Sequence, residues 1–314
     1  MATNKSLSAA QSVPALRPTT VEEYKEVQLQ RSHDGRVATI LWNPPKRMNP
    51  LSLTLTDELV AAVEEVSADA AVEEVSADER VNVVVLRGAG GYFSVGDDLV
   101  EMHEGAWGDP NQVMRRIRFY QRFANTIEDL DKITIAVAEG FVLGGGLEIT
   151  MACDLAMIAE SCRWGMPEVD SAMTPGWGGS TRMIRLIGRR RTKEINLIGA
   201  LQSARRGVEW GLFNRAVPDD QIEAELDRLL DVLLVKNQQT LRQLKFTLNK
   251  NADADMTTAL AFEAYSEVVT AAVNWRPETP PIPDAEPGKG LEAFAEKNEL
   301  WEERRGRALE FWSE

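Results

Sequence analysis

The chain is 314 residues long, 44% apolar and 27% charged, and 35 basic against 49 acidic residues leave a formal charge of -14. That is a globular composition with room for one large core or two domains. The acidic balance excludes extended nucleic-acid contact, which needs a basic face to displace phosphate counterions. Two histidines, His33 and His103, are too few for a zinc site built on several imidazoles, and their polar contexts speak against a Ser-His-Asp relay. The two cysteines, Cys153 and Cys162, cannot make a disulfide framework and read as free thiols in a reducing compartment, so a cytoplasmic setting is expected. No apolar signal core lies in residues 1–24, and the longest apolar stretch, 133–153, is broken by Glu139 and Glu148, so no membrane segment is expected.

Residues 1–24 are polar and unpatterned and read as a flexible tail. Residues 25–30 alternate and 37–42 are β-rich, with Asp34-Gly35 between them, which predicts a hairpin. A helix is predicted over 54–66. The apolar run 81–86 then predicts a strand covered on both faces. The rhythm repeats with a helix over 112–130, a strand over 133–138, a glycine-rich turn, a helix from Gly145 and a strand over 155–158, which is the βαβ order of an α/β fold. From Ser180 onward helices are predicted almost throughout, including 220–235, 240–249 and 256–273. The proline-rich stretch 275–290 reads as an extended linker before a charged helix over 291–309. The segment AAVEEVSAD at 61–69 recurs unchanged at 70–78. Nine residues advance a helix by about 900°, so both copies cannot present their valines to one face, and the repeat reads as a tandem duplication tolerated at the surface.

Among the motifs, residues 88–96 (GAGGYFSVG) begin like a dinucleotide-binding fingerprint, but Phe93 stands where the third glycine belongs; no phosphate loop or GxSxG elbow occurs. Residues 140–148 (GFVLGGGLE) follow an apolar strand and open a helix. Glycines there let a ligand approach backbone N–H groups that have no intrahelical partner, although the same run equally suits a tight strand-to-helix turn. Glu148 and Glu168, each taken alone, are ordinary first-turn acids. In one apolar pocket they could hold different protonation states and share acid and base work.

Residues 93–102 (FSVGDDLVEM), 138–154 (AEGFVLGGGLEITMACD) and 164–182 (WGMPEVDSAMTPGWGGSTR), in this order, resemble the enoyl-CoA hydratase/isomerase family, or crotonase superfamily. Residues 43–51 (NPPKRMNPL) resemble its proline-lysine-asparagine segment, and 290–297 (GLEAFAEK) its C-terminal helix. The resemblance implies an α/β crotonase (ClpP-like) fold of repeated ββα units in two nearly perpendicular sheets. A catalytic core over 25–210 would precede a helical assembly region over 211–314, with a proline-rich insertion at about 275–289. The helices would build a homotrimer or a dimer of trimers. The implied substrate is an acyl-CoA thioester of the kind met in fatty acid metabolism, with no metal or redox cofactor. Its carbonyl oxygen would sit in an oxyanion hole made by the backbone N–H groups of Asp97 and Gly145. Glu148 would act as base at C3 and Glu168 as proton donor at C2. Family isomerases commonly keep only the second, so holding both favours hydration of a 2-enoyl-CoA. Isomerisation and hydration coupled to carbon–carbon cleavage or hydrolysis of a cyclic or aromatic acyl-CoA are the enzymatic alternatives. A non-catalytic binding subunit is the other class, and the two glutamates and the acidic charge speak against it.

Lys46 and Arg47 lie where the family contacts the nucleotide end of CoA, and Lys297 lies in the helix that often supplies a phosphate contact. Met48, Val95, Gly96, Asp98, Gly144, Trp164, Pro175, Gly176 and Trp177 are expected around the substrate on the same resemblance. Two departures concern the site. Position 97 is usually small or apolar in relatives, and a carboxylate there would repel an enolate unless turned away, hydrogen-bonded or protonated. Trp164 and Trp177 stand where many relatives carry smaller residues, and are either core packing or the wall of a reshaped acyl pocket.

Overall fold

A computed structural model describes residues 24–274, except 45, 69–80 and 106, together with residue 306. The expected hairpin forms: β1 (Val27–Ser32) pairs antiparallel with β2 (Val37–Trp42), from Val27↔Trp42 to Ser32↔Val37. Its turn is left-handed at His33, Asp34 and Gly35, with φ of 52°, 55° and 83°, a conformation that Asp and Gly tolerate best. Helix α1 (Leu53–Ala68) follows and buries Leu55, Leu59, Ala62, Val63 and Val66 on one stripe. It thereby uses the first copy of the repeat as core; the second copy lies outside the described residues.

Next come β3 (Val83–Gly88), α2 (Leu99–Glu104), α3 (Pro110–Asp129) and β4 (Ile133–Ala138), whose six residues are all buried. Helix α3 starts at Pro110 behind Asp109, whose side chain accepts the Asn111 N–H, and buries Tyr120, Phe123, Ala124 and Ile127 at helical spacing. Then follow β5 (Phe141–Leu143), α4 (Gly145–Thr150), β6 (Leu155–Ala159), β7 (Arg163–Gly165) and a 3₁₀ turn, Pro167–Ser171. The rest comprises α5 (Gly179–Ile198), β8 (Gln202–Ser203), α6 (Ala204–Trp210), β9 (Arg215–Val217), α7 (Ile222–Leu234), α8 (Gln238–Asn251) and α9 (Met256–Asn274).

The main sheet has the order β1-β2-β3-β4-β6-β9, parallel except for the hairpin, and a small sheet has the order β5-β7-β8. Helices α1, α7 and α8 pack against β2, β3 and β4 respectively, which explains why those strands carry apolar residues in near-continuous runs. The region after Ser180 is helical as expected apart from the short β8 and β9. One expectation changes: β9 hydrogen-bonds to β6, so the main sheet continues past the boundary expected at residue 210. Strands of two or three residues are too short for a period to show in the sequence. A buried ion pair ties α8 to this body: Lys245 Nζ meets Asp154 Oδ2 at 2.8 Å and donates to Lys132 O at 2.9 Å. No helix among the described residues is long and apolar enough to cross a membrane. Residues 1–23 of the tail, the proline-rich stretch and Lys297 lie outside the described residues, whereas Tyr24, the last residue of the expected tail, packs against the core and bonds Glu65.

Candidate active site

Residues 93–98, which leave β3 toward α2, run beside residues 48–51. Val95 N–H donates to Met48 O (3.1 Å), Leu51 N–H to Gly96 O (2.8 Å) and Asp98 N–H to Leu51 O (3.2 Å). Asn49 holds the two segments together. Its Nδ2 donates to Ala89 O (3.0 Å) and Tyr92 O (2.7 Å), while its carbonyl accepts from Ser94 Oγ (2.7 Å). Met48 and Asn49 are both left-handed, with φ of 66° and 53°. Such strain costs about 1–3 kcal/mol per residue and persists only where surrounding bonds dictate it. The Gly96 N–H goes to Ser94 Oγ (3.1 Å). The Asp97 N–H has no acceptor among the described residues.

The second segment is the glycine run before α4. Gly144 turns at φ 48° and donates its N–H to Gly165 O (3.1 Å), while Gly145 opens the helix with an N–H that also lacks an acceptor among the described residues. The glycines let these segments touch. A methyl on Gly96 would lie 3.0 Å from Leu143 O and 3.5 Å from Gly145 N, and one on Gly145 would lie 3.1 Å from Asp97 Oδ1. Two spare backbone donors therefore lie in adjoining strands of chain, with a carboxyl beside them.

Two further carboxyls complete the cluster. Glu148, 1% exposed on α4, accepts the Gly179 N–H (2.6 Å) and the Trp177 N–H (2.9 Å) on the same Oε1. Burial pushes its pKa up to about 8 against the pull of the Gly179 bond, and Glu168 and Asp97 add repulsion. Glu168 lies in the 3₁₀ turn, and a methyl on Gly144 would be 3.2 Å from its Oε1. Both its carboxyl oxygens are buried without a hydrogen-bond partner among the described residues, and burial raises its pKa. Asp97 receives the Trp177 indole N–H at 3.1 Å on Oδ1. Burial pushes Asp97 up to about 7, opposed by that bond and aided by the charge of Glu168. Three carboxyls thus share a site where full ionisation of all three is disfavoured.

The family described as enoyl-CoA hydratase/isomerase matches residues 32–304. This chain belongs to the enoyl-CoA hydratase/isomerase family. It is 31% identical over 241 residues to the short-chain-enoyl-CoA hydratase of Clostridium acetobutylicum, covering 74% of this chain and 84% of that protein. It is 30% identical over 246 residues to the crotonyl-CoA hydratase of Syntrophomonas wolfei, covering 77% of this chain and 88% of that one. The crystal structure of enoyl-CoA hydratase from Bacillus anthracis superposes with a TM-score of 0.74 at 29% identity, covering 87% of this chain and 97% of that one. The architecture is the crotonase fold, α/β with a helical C-terminal region.

Within this enoyl-CoA hydratase/isomerase chain, Gly96, Asp97, Gly144, Gly145, Glu148 and Glu168 converge, and Met48 and Val95 flank them through their backbone bond. Trp177 belongs to the cluster as a support and not as an open wall: it is 1% exposed and stacks on Tyr120 (4.1 Å between centroids) with Phe123 at its edge. Gly176 packs under α3, where a methyl would lie 2.5 Å from Ile117 Cδ1, and its carbonyl accepts from Gln121 Nε2; Pro175 precedes it at half-buried depth. Arg47 is exposed and bonds Tyr92 Oη at 3.3 Å.

Two expected substrate-binding residues have other roles. Trp164 is fully buried in the small sheet, donates its indole N–H to Ser203 O (2.8 Å) and meets Trp210 and Phe213 edge-on, so it is core packing. Asp98 caps α2, accepting from Val100 N and Glu101 N, and forms an ion pair with Lys46. Its carboxylate is spent within the protein, its pKa held below the ordinary range by Lys46 and these caps against the cost of burial. Lys46 remains 56% exposed beyond that pair.

Several residues of the site carry no strong sequence signal. Gly179 reads as an ordinary helix-start glycine, yet a methyl there would fall 2.3 Å from Glu148 Cγ. Arg182 reads as a surface cation of α5. It is buried beneath the turn that holds Glu148, bonding Glu128 Oε2 (2.6 Å), Asn125 Oδ1 (2.7 Å) and Trp177 O (3.4 Å).

Proposed function

We propose that this protein adds water reversibly across the double bond of a 2-enoyl-CoA thioester. The observation that carries the reading is the pairing of two unspent N–H donors, on Asp97 and Gly145, with the buried carboxyl groups of two glutamates, Glu148 and the half-buried Glu168. The thioester carbonyl oxygen accepts from both donors. As the oxygen of a water bonds C3, the C2–C3 π pair moves toward the carbonyl, and the N–H groups stabilise the enolate charge that forms on its oxygen. Glu148, with Oε1 pinned by two backbone bonds, takes the proton that the water releases. Glu168 delivers a proton to C2 as the enolate collapses. One carboxyl must be ionised and the other protonated at the start, and burial of Glu148, with the repulsion that Glu168 adds, favours one shared proton over none.

Every proton in this scheme moves between carboxyls, water and carbon, so it calls for no metal or redox cofactor. Lys46 and Arg47 are exposed cations in the segment that borders the donors, and they supply local positive charge for the CoA phosphates of an otherwise acidic protein. The working form in this reading is a cytoplasmic homotrimer or dimer of trimers. Exposed apolar side chains on α8 and α9, among them Phe246, Leu248, Leu260 and Tyr265, support that assembly. The names of the Clostridium and Syntrophomonas relatives support hydration over double-bond migration.

The test is incubation of crotonyl-CoA in oxygen-labelled water. A stable 3-hydroxyacyl-CoA carrying the label is expected, and a shifted double bond without label would overturn the reading. Glu148→Gln and Glu168→Gln should each lower kcat by about 10²–10⁴ with CoA-ester binding retained.

A further inference from the structure

The Asp97 carboxyl is more than hydration requires. Its N–H serves as a donor whatever the side chain is, and Glu148 with Glu168 accounts for both proton transfers. Yet the carboxyl is kept in the site, held on one side by the Trp177 indole at 3.1 Å and 3.4 Å to its two oxygens. That single N–H is the only hydrogen-bond donor it meets among the described residues, whereas an ionised carboxyl accepts about four hydrogen bonds. Its Oδ1 sits 3.1 Å from where a methyl on Gly145 would stand, so it borders the carbonyl donors directly. Trp177 also donates its backbone N–H to Glu148, so one residue touches both the Asp97 carboxyl and the glutamate that takes the proton from the water. The charge of Arg116 on α3 also acts on it, opposing the effects of burial and Glu168.

We propose that Asp97 selects the acyl group, its carboxyl bonding a hydroxyl carried by the acyl chain just beyond C3, so that the preferred substrates are hydroxylated 2-enoyl-CoA thioesters. This rests on the hydratase reading above. A hydroxyl suits the position because it donates to a carboxylate and accepts from a carboxylic acid. A methyl in the same place removes solvent from the carboxyl and returns no bond, which is the situation that makes sites built for a hydroxyl reject its apolar analogue.

The test compares 4-hydroxybut-2-enoyl-CoA with pent-2-enoyl-CoA, which carries a methyl in place of the hydroxyl, on the full-length enzyme and on Asp97→Ala. The wild-type kcat/KM should favour the hydroxylated ester by more than about tenfold, and Asp97→Ala, which keeps the backbone N–H, should bring the ratio to within about threefold of one. A wild-type ratio near one overturns the proposal while leaving hydration intact, and it decides even if the variant is inactive. A variant that keeps the wild-type ratio overturns it as well, since another group must then read the hydroxyl. If neither ester is hydrated by the wild type, it is the hydratase reading that fails.

Discussion

Replacing Gly179 by alanine adds one methyl, and the structure says where it lands: 2.3 Å from Glu148 Cγ, 2.8 Å from Cδ and 2.6 Å from Oε1. Carbon atoms in contact stay about 3.5–4.0 Å apart, so the glutamate must retreat by more than about 1 Å. It then loses the Gly179 and Trp177 N–H bonds that aim it. Misplacing a catalytic group by about 1 Å costs roughly 10² in rate, and losing general-base catalysis altogether costs up to about 10⁴. The backbone itself has no objection, because Gly179 is the first residue of α5 and is not left-handed. Alanine is the better helix former by up to about 1 kcal/mol, which offsets part of the lost hydrogen bonding. The expected variant is folded by circular dichroism, melts within about 10 °C of wild type, and shows kcat for crotonyl-CoA reduced by about 10²–10⁴. A folded Gly179→Ala enzyme turning over within about threefold of wild type would refute the placement of Glu148 in the chemistry.

Other expectations follow from the same geometry. Glu148 and Asp97 hold protons in the fold at pH values where the unfolded chain has released them, so the fold binds more protons and stability falls as pH rises from the ordinary carboxylate range to about 8. Glu148→Gln keeps an oxygen for both N–H bonds but does not ionise; in urea titrations it should match wild type near the acid end and exceed it at pH 8.5 by roughly 1–4 kcal/mol, and a difference that shrinks with pH would contradict the assignment. Trp164→Phe strands the Ser203 carbonyl and should cost about 1–3 kcal/mol with acyl-chain preference unchanged in a substrate panel; an altered preference would return Trp164 to the pocket wall. Lys245→Met leaves Asp154 without its buried cation and should cost roughly 3–5 kcal/mol, read as a lowered melting temperature with kcat retained at low temperature.

The parts of the fold that could be read in advance are those that bury a long apolar surface. β4 coincides with its apolar run residue for residue, and α1, α3 and α7 match their amphipathic periods to within a few positions. The short strands β5, β7, β8 and β9 could not, because they owe their form to the partner they pair with more than to their own residues. The site divides the same way. Glu148, Glu168 and the glycine run stand out as residue types in a motif, but their convergence depends on how separate segments meet. The reach of Arg182 and the closeness of Gly179 are facts of packing that no spacing encodes. Trp164 and Trp177 look alike in the sequence; the first faces Ser203, Trp210 and Phe213, and the second faces Asp97, so only tertiary contacts tell them apart.

The pairing of β6 with β9 has a kinetic consequence. Ala156 exchanges bonds with Asn214, its N–H to Oδ1 (2.7 Å) and its carbonyl from the Asn214 N–H (2.8 Å), and Glu160 N–H donates to Val217 O (2.9 Å). These bonds close a long excursion of chain that carries Glu168, the Trp177 turn and Arg182. Closing so long a loop is entropically costly before its contacts form, and non-local pairing of this kind folds late. During refolding the sheet from β1 to β4 should therefore gain protection against hydrogen exchange before turnover returns, with activity appearing only as β9 docks.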